Sequence, residues 1–243
     1  MDNILYITLI GFLVGVIGTG VGGILALILG KPGNKFLSFI LGFSAGIMLT
    51  IVCFDLLPEA FERANFFVGL IGIIIGVLAI ILIDEMVHSH GNTKVVHEKN
   101  FIKMGLLIGL GVALHNFPEG LAIGSGFMAT RELGIGISIV IALHNIPEGI
   151  SMAAPMRVGG VSKFKAVLFT FLVGLPMGIG ALIGAFLGEI SEAFIAFCLA
   201  FAGGTMLYIT CGELIPNSSK LHLGRTSSIG FVLGFVVGLV MTK

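Results

Sequence analysis

The sequence predicts an all-α, polytopic membrane protein: a bundle of eight transmembrane helices with an inverted repeat. Two observations predict the membrane class. The mean hydropathy is +1.12, and 56% of the 243 residues are hydrophobic whereas only 11% are charged. An ordinary soluble domain carries roughly 25% charged residues, so this excess of apolar residues requires lipid as its solvent. A third observation, that two sequence patterns each occur twice, predicts the repeat.

Eight apolar runs separated by charged or turn residues define the predicted spans. A helix needs about 20 apolar residues to cross the hydrocarbon core, and the last run reaches this length only marginally. The spans are predicted near residues 4–29, 36–57, 66–83, 101–128, 133–156, 164–187, 193–211 and 227–242. We treat residues 1–243 as a single transmembrane domain with a short loop at about residues 87–100.

The distribution of lysine and arginine orients the predicted spans. With the N-terminus outside, ten basic residues fall in inward segments and three in outward ones, as the positive-inside rule requires. The inward set is Lys31, Lys35, Lys94, Lys99, Lys103, Arg157, Lys163, Lys165, Lys220 and Arg225, and the outward set is Arg63, Arg131 and Lys243. Both termini are therefore predicted outside, and the loop at about 87–100 is predicted to be cytoplasmic.

Charge and motif content exclude several classes of function. The formal net charge is zero, and no basic run offers a surface for nucleic acid. No Gly-x-x-x-x-Gly-Lys-Ser/Thr loop is present for binding ATP. Cys53, Cys198 and Cys211 stand singly in apolar runs, which predicts small buried side chains rather than disulfides or a thiolate metal site.

Both repeats relate one predicted span to another. Residues 113–120 read Ala-Leu-His-Asn-Phe-Pro-Glu-Gly and residues 142–149 read Ala-Leu-His-Asn-Ile-Pro-Glu-Gly. Residues 46–58 in span two match residues 204–216 in span seven at a constant offset of 158. The predicted orientation makes each matched pair antiparallel. This indicates an inverted repeat of spans 1–3 and 6–8 with spans 4 and 5 in the centre, a symmetry typical of transporters.

The paired motif places ionisable groups inside apolar spans, where each costs about 2.5–3.5 kcal/mol. His115 and Glu119, and likewise His144 and Glu148, are four residues apart and share a helix face. Two such faces offer imidazoles and carboxylates to a metal, and this mixture favours zinc, iron(II), manganese, cobalt, nickel or cadmium over calcium or magnesium. The alternatives are a polar helix contact, a proton relay or an intramembrane metalloenzyme, although no His-Glu-x-x-His helix is present.

The motifs His-Asn-Phe-Pro-Glu-Gly at 115–120 and His-Asn-Ile-Pro-Glu-Gly at 144–149, with eight spans and outward termini, resemble the ZIP family of zinc and iron permeases. The resemblance is to compact bacterial-type members and extends to residues 55–59 and 212–216. It implies a secondary, ATP-independent transporter that carries divalent metal, chiefly zinc, into the cytoplasm across a bacterial inner membrane. It also implies an elevator-like or rocking movement, no enzymatic activity and no resident cofactor, with zinc, iron(II), manganese or cadmium as cargo.

The resemblance also implies the residues of a metal site between spans 4 and 5. They are His115, Asn116, Glu119, His144, Asn145 and Glu148. Met48 falls where some relatives place a thioether ligand, and a packing role is its alternative. Many relatives carry glutamate immediately before the proline of span six, where this chain has Leu175. The sequence leaves open a single ion, a second site completed by the two asparagines, or an altered ion preference.

Outside the central motif, several groups fit an entrance and exit path for a cation. Asp55 and Glu59 lie toward the outer end of span two, and Glu213 lies toward the inner end of span seven. His88 and His90 lie in the inward loop, where neutral imidazoles can capture an emerging metal. Solvated helix ends and a solvated loop are the alternatives. An intramembrane metal-dependent hydrolase and a channel-like facilitator remain rival functions, and a homodimer is left open.

Overall fold

The computed structural model describes residues 2–28, 30, 32–89, 97–187 and 191–242. This described part is helical, with turns between the helices and no strand. Its continuous helices are α1 Asp2–Ile28, α2 Asn34–Arg63, α3 Phe66–Ser89, α4 His97–Ala129, α5 Arg131–Val158, α6 Lys163–Leu187, α7 Glu192–Leu221 and α8 Thr226–Met241.

Seven of these helices, α1 to α7, are long and apolar enough to cross a membrane. Helix α8 is equally apolar but has only 16 residues. Helix α3 exposes Ile71, Ile74 and Leu78 to its surroundings, as a helix in contact with lipid does. The prediction of an all-helical integral membrane protein is therefore confirmed.

Helix boundaries differ from the prediction in three places. Helix α2 runs on to Arg63 and α7 to Leu221, beyond the predicted ends of spans two and seven. Helix α3 extends to Ser89 and α4 begins at His97, so helix occupies both ends of the segment predicted as a loop. The predicted spans stopped short because these helix ends contain charged residues. The span prediction depends on apolar content, whereas the helical backbone does not.

Helices α2 and α7 each contain a short π-helical segment, Val52–Leu56 and Ile209–Leu214 respectively. Directly after these segments, the Leu57 N–H donates to the Val52 carbonyl and the Ile215 N–H to the Thr210 carbonyl. A proline follows in each case, and it lacks the N–H that a regular α-helical turn would use. Such widened turns often lie at functional sites, and these two contain Asp55 and Glu213.

Helices α1 and α6 cross at glycines. A Cβ built on Gly15 would lie 2.3 Å from the Gly174 carbonyl oxygen, and one built on Gly174 would lie 2.4 Å from the Gly15 carbonyl oxygen. Gly11 meets the Ala181 side chain in the same way. Small residues permit this close approach in lipid, where packing rather than the hydrophobic effect joins helices.

The helices form two groups that meet at α4 and α5. Helices α1, α4, α5 and α6 pack on one another, while α2 packs on α8 and α3 on α7. Helix α2 also contacts α5, and α7 contacts α4. The crossing of α4 and α5 therefore lies in the first group where it meets the other helices, and the paired motif lies at this crossing.

Candidate metal centre

The four ionisable side chains of the paired motif form two contacts between α4 and α5. His115 Nε2 lies 3.2 Å from Glu148 Oε2, and His144 Nε2 lies 3.1 Å from Glu119 Oε1. Each histidine thus pairs with the glutamate of the other helix, because the two helices cross antiparallel with their motifs at the same level. The spacing predicted that the histidine and glutamate of each motif share one helix face. In the structure these faces meet, and they form two reciprocal pairs across the helices.

All four side chains are buried, with at most 2% of any of these residues exposed. Ionisable groups at this depth need partners, since an unpaired buried charge is strongly destabilising. The cross-helix hydrogen bonds provide one partner to each group. The pairs therefore account for how the fold tolerates two histidines and two glutamates in the interior of a membrane protein.

Each of these four side chains keeps one buried atom without a hydrogen-bond partner. They are His115 Nδ1, His144 Nδ1, Glu119 Oε2 and Glu148 Oε1. Buried polar atoms nearly always have a partner, which is a protein group, an ordered water or an ion. Imidazole nitrogen and carboxylate oxygen are donors that divalent transition metals accept.

The two asparagines are fully buried beside these pairs. The Asn116 side-chain amide donates to the Val173 carbonyl at 2.9 Å, and the Asn145 amide lies 4.0 Å from the Met177 sulfur. Both contacts reach α6 through the NH2 group, which leaves each side-chain oxygen without a partner. These oxygens add two further hard donors. No sequence signal beyond the proline of α6 pointed to the roles of Val173 and Met177.

The donors do not surround one point in the structure as it stands. Among the described residues, no three His, Cys, Asp or Glu side chains converge into a group that could hold a metal ion. The reason is geometric, because both Nε2 atoms are turned toward glutamates rather than toward a common centre. In this arrangement each histidine Nε2 is instead paired with one glutamate oxygen.

Met48 lies on a buried stretch of α2 that faces α5. Its side chain is 1% exposed, and Ser44, one turn earlier, donates to the Pro147 carbonyl at 3.1 Å. This contact, which the sequence did not predict, fixes α2 against the turn of α5 that carries Glu148. Met48 also belongs to the main hydrophobic core, so its packing role is present in the structure.

Among the predicted path residues, Asp55 is close to the centre. It lies within electrostatic range of both His144 and Glu119, and its side chain is exposed. Glu59 instead binds Arg63 at 2.6 Å, at the end of α2.

Glu213 lies in the π-helical segment of α7. Its carboxylate accepts a hydrogen bond from Asn217 at 2.9 Å and interacts electrostatically with Lys103 and Tyr208. His90 lies outside the described residues, as does the side chain of His88.

Two of the three cysteines contradict the prediction of buried thiols. Cys53 and Cys211 are exposed, and only Cys198 is buried. Both exposed thiols lie in the π-helical segments. The prediction was wrong because the composition of an apolar run does not distinguish its buried positions from its exposed ones.

Gly120 and Gly149, which follow the two glutamates, serve helix packing. A Cβ on Gly120 would lie 2.0 Å from the Met177 carbonyl oxygen, and one on Gly149 would lie 2.1 Å from the Thr19 carbonyl oxygen. Helix α4 is thereby pressed against α6, and α5 against α1. The glycines bring the motif-bearing helices into contact with the rest of their group.

Comparison with known proteins identifies the family. The family model described as ZIP zinc transporter matches residues 88–242. The chain belongs to the ZIP family of zinc transporters. This ZIP chain is 35% identical to the zinc transporter ZupT of Chlorobaculum parvum, over 99% of the chain and 98% of that protein. It is 36% identical to ZupT of Chlorobium limicola, over 91% of each. It is also 32% identical to ZupT of Clostridium perfringens, over 98% and 95% respectively.

The similarity covers nearly the whole of this ZIP chain. Its family is one of transporters, which agrees with the prediction that the protein is not an enzyme. The resemblance based on the two His-Asn-x-Pro-Glu-Gly motifs is confirmed. The matched region, residues 88–242, contains both motifs and therefore the two His–Glu pairs.

Proposed function

We propose that this ZIP protein carries divalent transition-metal ions, chiefly zinc, into the cytoplasm of a bacterial cell across the inner membrane. The observation that carries the proposal is the cluster of two buried His–Glu pairs at the crossing of α4 and α5, each member with an unpartnered donor atom. The ZupT relatives are named as zinc transporters. No ATP-binding loop is present in the sequence, so transport is secondary.

The proposed site opens when the ion replaces the His–Glu contacts. Its ligands are drawn from His115, Asn116, Glu119, His144, Asn145 and Glu148, with Met48 as an additional thioether. Rotating both imidazoles away from the glutamates turns nitrogen and oxygen donors toward the ion. When the ion leaves, the hydrogen bonds between the pairs re-form and again satisfy the buried groups. This exchange keeps the site weak enough to release its cargo, as transport requires.

A single ion is the simplest occupant of this site. Leu175 stands where a further carboxylate would complete a second position, and its side chain is 38% exposed. Among the described residues of α4 and α5, the side-chain oxygens of the two asparagines are the further buried oxygen donors without a hydrogen-bond partner. These complete the shell of one ion in our proposal.

An inverted repeat is proposed for the whole chain. A Cβ on Gly22 would lie 2.2 Å from the Ile146 carbonyl oxygen, and one on Gly180 would lie 2.1 Å from the Phe117 carbonyl oxygen. Positions 22 and 180 differ by 158, the offset that relates α2 to α7 in the sequence, and Phe117 and Ile146 are equivalent in the paired motif. These matching contacts support a symmetry that relates α1 to α6 and α4 to α5.

The proposed topology has eight spans in a single domain, with both termini outside. Helix α8 counts as the eighth span, because most of its 16 residues are apolar and it packs along α2. The division of the helices into two groups supports an elevator-like or rocking movement. In this movement α1, α4, α5 and α6 shift together relative to the other helices and carry the site between the two sides of the membrane.

Metal flux into vesicles tests the function and the site together. The protein is reconstituted into vesicles that contain a metal-sensitive dye, and His115→Ala and Glu148→Ala are compared with the parent chain. We expect initial rates that saturate with zinc and that fall at least about tenfold in both variants. His222→Ala, which alters a histidine outside the site, is the matched control and should keep the parent rate.

Three results would contradict parts of the proposal. Unchanged flux in both site variants would refute the assignment of the ligands, provided that both variants elute as folded protein. A rate that rises linearly with zinc and hardly changes with temperature would indicate a channel-like facilitator instead of a carrier. Absence of flux in the parent chain would refute transport itself.

A further inference from the structure

A long apolar groove lies beside the candidate metal centre. Its volume is about 570 Å³, and it is lined by residues of four helices, among them Ile83 of α3, Leu114 and Pro118 of α4, Pro176 of α6 and Phe197 of α7. On α4 the lining runs from residue 110 to residue 118, about 12 Å along the helix axis. The volume is that of a ligand pocket, about 300–1,000 Å³.

The lining determines what the groove can contain. It consists of aliphatic and aromatic side chains, two prolines and Cys198. A water molecule needs two to four polar partners, and these side chains offer none. A void of this size would also forfeit the dispersion contacts of every side chain around it. The groove therefore requires an apolar occupant.

The surroundings of the groove determine where that occupant comes from. All four lining helices are long and apolar enough to span the membrane, and the lining of α4 lies in the middle of its span. Phe194, at the α7 end of the groove, is 44% exposed, so the groove is accessible from outside the bundle. The medium outside a span at this depth is hydrocarbon.

We propose that this groove binds one acyl chain of a bilayer lipid. The acyl chain lies between the two groups of helices, with α4 and α6 on one side and α3 and α7 on the other. It contacts Leu114, which directly precedes His115 in α4, and Pro118, which directly precedes Glu119. A lipid chain is thus a packing element of the surface along which the site-bearing helices meet the rest of the protein.

Tryptophan fluorescence can detect the acyl chain directly, because the natural chain contains no tryptophan. Phe197→Trp places a single fluorophore in the groove, and Phe194→Trp serves if the first variant does not fold. Each variant is reconstituted into vesicles of phosphatidylcholine with dibrominated acyl chains and, in parallel, of the unbrominated lipid. Bromine quenches tryptophan on contact, so we expect strong quenching of either variant in the brominated vesicles.

A filling substitution separates an acyl chain in the groove from lipid around the bundle. Ala113→Phe takes up groove volume from the α4 side. A pocket encloses about 70–90% of its ligand's surface, so an acyl chain in the groove supplies most of the bromine that a groove tryptophan contacts. We therefore expect about threefold less quenching when Ala113→Phe is added to Phe197→Trp. The matched control is Ile74→Trp on the lipid-exposed side of α3, where Ile74 is 48% exposed. Its quenching should be the same with and without Ala113→Phe.

Three outcomes would overturn the proposal. The first is an unquenched groove tryptophan beside a quenched Ile74→Trp control. The second is quenching that Ala113→Phe leaves unchanged. The third is quenching that appears only on dilution into excess lipid, which would mean that a second copy of the protein covers the groove. No metal or flux enters the measurement, so its result is independent of the proposed transport.

Discussion

Nε2 of His144 lies 3.1 Å from Oε1 of Glu119, across the antiparallel crossing of α4 and α5. Both side chains are buried, and each has one further atom without a partner. His115 and Glu148 make the equivalent contact in the opposite sense. The two pairs connect α4 to α5, and in the proposed function these four side chains supply the donors for the metal.

If one ion recruits both pairs, the pairs form a single binding unit. His115→Ala and His144→Ala should each weaken zinc binding at least about tenfold, and the double variant should lose much less than the product of the two effects, because residues that act as a unit are not additive. Calorimetric titration of the purified protein with zinc measures the three dissociation constants. Losses that multiply would instead assign each pair its own ion.

The close crossing of α1 and α6 predicts that one added methyl group lowers the stability of the fold. Gly174→Ala places a Cβ 2.4 Å from the Gly15 carbonyl oxygen, and overpacking of this kind costs about 1–3 kcal/mol. The variant should therefore show a lower midpoint of thermal unfolding in detergent. Gly136→Ala in α5 is the matched control, because a Cβ there meets nothing within 4 Å. Equal midpoints for the two variants would refute this account of the crossing.

Met48→Leu tests the thioether as a ligand. The exchange conserves volume and should cost less than about 1.5 kcal/mol, so the fold is retained. Thioether sulfur is a soft donor, and we therefore expect cadmium flux to fall more than zinc flux. Met206→Leu in α7 is the matched control, since Met206 is equally buried and lies 158 positions further along the chain. Identical effects of the two exchanges on both metals would leave Met48 a packing role alone.

The proposed topology predicts labelling of both termini from outside the cell. Asn3→Cys and Thr242→Cys, each in a chain whose three natural cysteines are replaced by serine, should react with a membrane-impermeant maleimide on intact cells. Ser162→Cys lies in the exposed turn before α6, next to basic residues that the positive-inside rule places in the cytoplasm. It should react only after permeabilisation, and the reverse pattern would invert the topology.

Local sequence patterns determined most of the helices and the composition of the candidate centre. The apolar runs predicted the spans, since crossing hydrocarbon requires about 20 apolar residues. The four-residue spacing of His115 and Glu119 predicted a common helix face, because the helical period is local. Repetition of the motif predicted that spans 4 and 5 contribute alike. The ends of α2 and α7 were less predictable, because a helix continues beyond hydrocarbon where its residues become polar.

The partners of these residues depended on how the helices pack. The sequence contained the glutamates and histidines, but only the antiparallel crossing decided that His115 pairs with Glu148 rather than with Glu119. The hydrogen bond from Asn116 to Val173 likewise joins residues 57 positions apart. The exposure of Cys53, and the apolar groove between the two groups of helices, also follow from packing. In lipid, buried and membrane-facing surfaces have the same apolar composition, so hydrophobicity identifies the spans and the fold alone decides which sides meet.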